Sequence, residues 1–390
     1  MTDKLQSQIS DIEPERPHSI LLRDYKRKIE RTDTLAKNDL STVLLGLFGE
    51  VGSVMATAKK LRREEKAYAG YRNALIEELG DTLWYFNALC GRLDYKIEEV
   101  FSNVISGESY GKILVASDLS DGPLSHVATA GNNPPIEELL LKLGEATASF
   151  LTVKRGNEIT ADLLCIFADL YLRVVQATEV PFAEIVHSNI KKVRGRFLEF
   201  SLADLPDFDS DFPKEEKLPE DFQIEIIQRM EGKSYMRWNG VFIGDPLTDS
   251  IMDPDGYRFH DVFHLSYAVI LHWSPIFRGL IKQKRKSRPE IDEAQDGGRA
   301  RVVEEGLSAW IFSRAKNQDF FEGQDSLSFD LLKVVQEFVR GYEVEKCPLS
   351  LWEYAILEGY KVFREVRKNE EGMVVGDRRT RTIKYKPIEN

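Results

Sequence analysis

The sequence predicts a mainly α protein, with a tandem four-helix-bundle region followed by an α-rich C-terminal domain that opens with a β-hairpin. Long stretches on either side of residue 120 repeat apolar residues every three or four positions, the period of an amphipathic helix. These stretches echo one another along the chain. Beyond a proline-containing acidic segment, two β-patterned runs, FQIEIIQRM and KSYMRWNGVFIG, precede renewed helical periodicity. With 390 residues, the chain is also too long for one ordinary core, and two or three domains are expected.

Residues 1–35 read as a polar N-terminal arm, and residues 36–200 as a helical domain. Its first helix is expected from Leu40 to about Leu61, its second from Asn73 to Leu93 after the charged break RREEKAYAGYR, and a short third in IEEVFSNVI. Gly, Ser, Asp, Asn and Pro then mark residues 106–135 as a loop. The pattern restarts: Leu143-Gly144-Glu145 echoes Phe48-Gly49-Glu50, Ala168-Asp169-Leu170 echoes Gly80-Asp81-Thr82, and Glu184 to Asn189 echoes Glu99 to Asn103. Residues 40–105 and 136–200 are therefore read as an internal repeat whose halves bury their apolar faces together. Residues 201–221, with three prolines and an acidic run, have the composition of a solvated linker. The C-terminal domain spans 222–390, with a hairpin turning at Glu231-Gly232 and helices at Tyr257–Trp273, Arg299–Ala315 and Leu351–Arg367. The basic tail DRRTRTIKYKPIEN is partly β-like and is assigned no role.

Lys and Arg total 53 against 64 Asp and Glu, a formal net charge of −11. This balance excludes a nucleic-acid scaffold and docking on an anionic membrane as the expected roles. A phosphate-bearing small molecule remains compatible, because a bound divalent cation reverses the local sign. Cys90, Cys165 and Cys347 lie far apart, which argues against a disulfide framework and for a reducing compartment. The N-terminus has no apolar run for a signal peptide, and no later stretch approaches the roughly 20 apolar residues of a membrane span. A soluble, cytoplasmic protein is expected.

The sharpest chemical signal is Glu50-x-x-Ser53 on one helix and Glu78-x-x-Asp81 on the next. Residues three apart share a helix face, so antiparallel packing can gather Glu50, Glu78 and Asp81 in an otherwise apolar bundle. Clustered carboxylates repel and have raised pKa values unless a cation joins them. A hard ion, Mg²⁺ or Mn²⁺, would hold them ionised and leave positions for water and phosphate oxygens. The bland alternative is that these acids sit on solvated faces.

This arrangement resembles the MazG-like nucleoside triphosphate pyrophosphohydrolases, related to the all-α dimeric dUTPases. The resemblance is carried by Leu45-Gly46-Leu47-Phe48-Gly49-Glu50-Val51-Gly52, by Lys59-Lys60 and by Glu77-Glu78-Leu79-Gly80-Asp81-Thr82-Leu83-Trp84-Tyr85. Ser188 to Phe197 looks like the family's closing Asn/Lys/Arg segment. Residues after Asp221, with GYRFHDVFHLSYA and VVEEGLSAW, look like the C-terminal domain that accompanies some MazG-like proteins. The first 200 residues are thus read as a tandem MazG-like bundle.

The resemblance implies metal-dependent hydrolysis of (deoxy)nucleoside triphosphates to a monophosphate and pyrophosphate, in a homo-oligomer such as a dimer. Glu50, Glu78 and Asp81 would be the catalytic and metal-binding residues. Lys59, Lys60, Lys192 and Arg196 are candidates to neutralise phosphate, Asn189 to hydrogen-bond sugar or phosphate, and Trp84 to stack on the base or serve as core. The family has an acid where this chain has Ser53, a neutral ligand that could hold a metal-bound water but not offset the ion's charge. In the second half Glu145 and Asp169 remain, but Ala148 and Cys165 occupy the other ligand positions, so that half is read as a structural or substrate-covering half of a pseudo-dimer rather than a second active site. Ser53 also motivates a rival reading, a nucleotide-binding sensor whose site has lost turnover.

A second constellation joins His260, Asp261 and His264 to Glu304 and Glu305 about one helix later. His260 and His264 are four apart and share a face, a metal-ligand spacing in a chain with only 6 histidines. His and Glu ligands suit Mn²⁺, Fe²⁺ or Zn²⁺ better than Mg²⁺. Phosphohydrolase chemistry at this cluster is a third reading; an HD-type site lacks a placeable upstream His and downstream Asp. The basic run Lys282 to Arg288 is expected to be solvated, and Gly297-Gly298 lacks the context of a phosphate loop.

Overall fold

The computed structural model describes residues 22–68, 70–105, 134–152, 159–197, 202, 205–229 and 232–388. Residues 1–21 of the expected arm, 106–133 of the expected loop and Glu231 of the expected hairpin turn lie outside the described residues. The chain divides into two compact units, Met1–Leu198 and Glu199–Asn390.

The first unit is helical: α1 (Leu22–Ile29), α2 (Leu40–Glu64), α3 (Tyr71–Arg92), α4 (Ile97–Ile105), α5 (Ile136–Thr152), α6 (Ala161–Ala177) and α7 (Phe182–Phe197). The Asp39 carboxylate caps α2 by accepting the Thr42 N–H at 3.0 Å, satisfying one of the amides a helix start leaves open. The helices pair as α2 with α3 and α5 with α6, as α3 with α7 and α6 with α4, and as α2 with α5. This set of pairings maps onto itself when α2, α3 and α4 are exchanged with α5, α6 and α7. The core gathers one stripe from each, including Val43, Leu47, Val51 and Val54 of α2 and Leu75, Leu79, Leu83 and Phe86 of α3. Phe86, Phe101, Phe150, Phe167 and Tyr171 fill its centre with ring-on-ring contacts.

Two glycines permit the close approach of these helices. A Cβ at Gly46 would lie 2.1 Å from the Tyr85 ring, and one at Gly80 would lie 2.9 Å from Asn189 Cβ on α7. Two sequence expectations need correction here. Part of the supposed arm is structured, because Tyr25 and Ile29 of α1, four apart in the otherwise charged LRDYKRKI, are buried in the core. Two apolar residues among six polar or flanking ones carry too little periodicity to be read as a helix. In addition, the stretch Leu40–Ala67 is long and apolar enough to cross a membrane by length and composition. Here its Val43, Leu47, Val51 and Val54 pack into the core, whereas Leu45 is 68% exposed.

In the second unit the expected hairpin is part of a five-stranded antiparallel sheet of order β3-β2-β1-β4-β5. The strands are β1 (Asp221–Arg229), β2 (Lys233–Trp238), β3 (Val241–Leu247), β4 (Glu371–Asp377) and β5 (Thr382–Lys386). KSYMRWNGVFIG is two strands rather than one, because Asn239 and Gly240 both take positive φ, 49° and 77°, the geometry of a tight hairpin turn. The C-terminal tail supplies β4 and β5 and places β4 against β1 from Asp221↔Asp377 to Ile227↔Glu371.

Helices α8 (Asp261–Ser266), α9 (Pro275–Leu280), α10 (Pro289–Ala294), α11 (Gly298–Ala315), α12 (Phe329–Phe338) and α13 (Leu349–Asn369) complete the unit. The segment Tyr257–Trp273, expected as one regular helix, is a 3₁₀ turn (Tyr257–Phe259), α8, and a π-helical stretch (Tyr267–Leu271) that ends at His272 in the left-handed region. Among the described residues of 201–221, the expected solvated linker, several are packed into this unit: Leu218 and Phe212 are buried, and Asp209 accepts from Arg278 and, at 2.8 Å, from the Leu218 N–H. Arg285, expected on a solvated basic run, is 0% exposed and donates to Asp296 at 2.7 Å. Composition alone does not distinguish a solvated acidic run from one whose acids neutralise buried arginines.

Gly80→Ala is expected to destabilise the protein by about 1–3 kcal/mol, because α7 must shift away from α3; urea unfolding monitored by circular dichroism measures this. Asp209→Ala removes the nearest carboxylate from buried Arg278, leaving it only the Asp296 carboxylate at 3.7 Å among the described residues, and is expected to cost about 3–5 kcal/mol. A cost below 1 kcal/mol would show that Asp209 does not anchor this segment.

Candidate functional site

The α2/α3 pairing brings Glu50, Glu78 and Asp81 together. Each presents a carboxylate oxygen, and these oxygens lie within 4.8 Å of one another on a half-buried surface of the first unit. The burial of Glu50, then the charges of Asp81 and Glu78, raise its carboxyl to about 7 against the opposing charge of Lys192, and a hydrogen bond with Glu78 adds to the rise.

Asp81 is held at both oxygens by α7. Oδ1 accepts the Asn189 side-chain amide at 3.2 Å, and Oδ2 accepts from the Lys192 ammonium, which also donates to Glu77 at 2.7 Å. The Asn189 oxygen in turn accepts the Tyr25 hydroxyl at 2.8 Å. Burial would lower the Lys192 pKa, but the charges of Asp81 and Glu77 outweigh it and raise it. Tyr85, in the space left by Gly46, has its hydroxyl pKa raised by burial and then by the nearby charges of Glu50 and Asp81. The three acids, Lys192 and Tyr85 thus form one electrostatic unit.

The remaining residues singled out in the sequence are distributed differently. Ser53 is half-buried one turn beyond Glu50. Lys59 and Lys60 are exposed near the far end of α2, about 14 Å along the axis from Glu50. Lys60 lies over the Tyr68 ring at 4.2 Å. Arg196 is half-buried one turn beyond Lys192. Asn189 is committed to Tyr25 and Asp81, and Trp84 is buried beside Tyr85 and donates its indole N–H to Thr32 at 3.0 Å. In the second half, Asp169 is paired with Arg173 on its own helix at 2.9 Å. Glu145 is exposed and Ala148 half-buried, and Cys165 contacts the Val100 carbonyl at 3.9 Å. Glu77 and Tyr25 belong to the site but were not singled out. Glu77 lay inside the quoted motif, whereas no sequence signal connects Tyr25 to residues 56 and more positions away.

The second unit also assembles its cluster. His264 of α8 is buried between Glu304 and Glu305 of α11, with Nδ1 2.9 Å from Glu304 and Nε2 3.1 Å from Glu305. His260 Nε2 lies 3.2 Å from Glu305, and the Tyr257 hydroxyl donates to the same carboxylate at 3.1 Å. Burial favours neutral His264, but the charge and hydrogen bond of Glu304, joined by Glu305, raise its pKa to about 10. Glu305 moves the other way: burial raises its pKa, yet its bonds to His260 and His264 hold it well below the ordinary range. Tyr257 and Ser274, which donates to Glu304 at 2.6 Å, complete the cluster and carry no recognisable spacing signal.

The folded state holds the Glu50 proton more tightly than an unfolded chain does. Its contribution to stability is therefore greatest below about pH 4.5 and is lost as pH rises through 7. In EDTA, Glu50→Gln is expected to be more stable than wild type by about 1–2 kcal/mol at pH 8, after allowance for solvent screening, and equal to it at pH 4. Urea unfolding at the two pH values checks this; equal stability at both would remove the raised carboxyl.

Residues 203–389 match the family described as the MazG C-terminal domain. No curated protein and no solved structure matched the chain.

Proposed function

We propose that the first unit of this chain, whose residues 203–389 match the MazG C-terminal domain family, hydrolyses (deoxy)nucleoside triphosphates. The products are a nucleoside monophosphate and pyrophosphate. The family match covers the second unit, so the reading of the first rests on its own chemistry. The observation that carries it is the gathering of Glu50, Glu78 and Asp81, with Glu50 raised to about 7. Three acids at this spacing, one of them brought close to neutral by burial and by its acidic neighbours, fit a divalent cation such as Mg²⁺ or Mn²⁺. When bound, the ion polarises phosphoryl oxygens and offsets phosphate charge.

The protein's own groups have distinct tasks in this reading. Lys192 and Asn189 hold Asp81 in one orientation, which spares the entropy of ordering it at each turnover. Glu50 or Glu78 accepts a proton from the attacking water. One water is consumed, the bond between the α- and β-phosphoryl groups breaks, and pyrophosphate leaves. Lys59, Lys60 and Arg196 lie farther out and would act on the phosphate tail only in a bound complex. A homodimer is part of the proposal, supported by Leu45 and Phe48, which α2 leaves exposed at 68% and 44%.

Ser53 supports a second reading, a nucleotide sensor without turnover, because it removes one negative ligand beside Glu50. A panel of nucleoside and deoxynucleoside triphosphates with Mg²⁺ or Mn²⁺ separates the two. The enzyme reading expects pyrophosphate and monophosphate in equal amounts, and at least ~100-fold slower turnover in Asp81→Asn. Binding without product in wild type, with hydrolysis appearing in Ser53→Glu, would establish the sensor.

A further inference from the structure

The histidine cluster of the second unit has a directionality that simple ion pairing does not require. In both imidazoles the Nδ1 atom faces an acceptor outside the cluster's centre. His260 Nδ1 lies 2.9 Å from the Tyr257 carbonyl oxygen, and His264 Nδ1 lies 2.9 Å from Glu304 Oε1. A carbonyl oxygen can only accept, so the His260 proton resides on Nδ1, and in the neutral ring Nε2 keeps its lone pair. Glu304 is 0% exposed and is itself fixed by the Ser274 hydroxyl at 2.6 Å and the Ile276 N–H at 2.8 Å. This is the outer-sphere pattern of metal-ligating histidines, in which Nδ1–H is given to a carboxylate or carbonyl and Nε2 is turned toward the ion.

The two Nε2 atoms converge. They lie 3.2 Å and 3.1 Å from the two oxygens of Glu305. Asp261 lies beside them, since one donor atom from each of His260, Asp261 and His264 lies within 4.8 Å of the others. That spacing is close to the roughly 3–4 Å that separates donors around a single ion. Glu305 remains 44% exposed at its side chain, so the convergence point has an edge open to solvent, and the Tyr257 hydroxyl steadies Glu305 from outside.

We propose that His260 Nε2, His264 Nε2 and the carboxylates of Asp261 and Glu305 bind one first-row transition-metal dication of the Zn²⁺, Fe²⁺ or Mn²⁺ class. Two imidazoles with two carboxylates prefer these ions over Mg²⁺ or Ca²⁺. Glu304 and the Tyr257 carbonyl orient the two imidazoles.

The test uses the full chain carrying Glu50→Gln and Asp81→Asn, so that the carboxylate cluster of the first unit does not contribute and the outcome is independent of triphosphate hydrolysis. The chain is stripped with EDTA and titrated with Co²⁺, whose visible absorption reports nitrogen ligation. One Co²⁺ per chain, displaced by Zn²⁺, is expected. Further introducing Glu305→Gln or Asp261→Asn, both at half-buried positions, should weaken binding by at least tenfold, and Glu304→Gln should weaken it by about 10–100-fold. Circular dichroism confirms that each variant is folded, and any that is not is replaced by His260→Gln. Absence of Co²⁺ absorption, several weak sites per chain, or affinity unchanged in folded Glu305→Gln and Asp261→Asn chains would overturn the site.

Discussion

Carboxylates gathered in an apolar bundle need positive charge, and in the first unit Lys192 supplies it. Its ammonium bridges Glu77 and Asp81 from the facing helix, while Asn189 holds the other oxygen of Asp81. Both come from α7, which reaches α3 closely because residue 80 is glycine. Remove that approach, and the acid cluster loses its nearest counter-charge and its orientation together. Glu50, raised first by burial and then by the charges of Asp81 and Glu78, has its carboxyl near 7. A site that raises a half-buried carboxyl in this way is less stable at neutral pH than the fold could make it, and a cationic ligand can relieve that cost.

The second unit meets the same constraint with a different residue. Glu304 is fully buried and Glu305 lies beside it, and the cation between them is the imidazole of His264. Elsewhere in this unit, Asp209, Asp296 and Glu343 surround Arg278 and Arg285. There the guanidinium groups supply fixed charge, which serves structure and closes residues 205–221 onto the rest. Histidine differs from arginine in that it can give up its proton to make room for another cation. That difference separates the buried charge that anchors the segment from the buried charge that can bind an ion.

Much of the helical architecture was legible in the chain. The periods of α2, α3, α11 and α13 placed these helices within a few residues, because each has an apolar stripe several turns long. The failures share a cause. Tyr25 and Ile29 of α1, the Asn239-Gly240 turn, and strands β4 and β5 are short, and their stability comes from partners distant in sequence. A packed acidic segment and a solvated one have the same composition, so residues 205–221 could not be told apart from a linker. The break of Tyr257–Trp273 into 3₁₀, α and π turns likewise leaves the apolar pattern intact.

For the candidate sites, the sequence by itself singled out the side chains: the i, i+3 spacing of Glu78 and Asp81 and the i, i+4 spacing of His260 and His264 are properties of any helix. Only the tertiary structure decided which of them meet and in what charge state. Helix packing brought Glu50 to Glu78 and Asp81, assigned Lys192 and Asn189 to Asp81, turned Trp84 into the core, and left Lys59 and Lys60 at the far end of α2. It also faced both histidine Nδ1 atoms outward and both Nε2 atoms inward. Spacing along one helix follows from local geometry, whereas convergence between helices depends on crossing and approach, which residues such as Gly46 and Gly80 permit but do not announce.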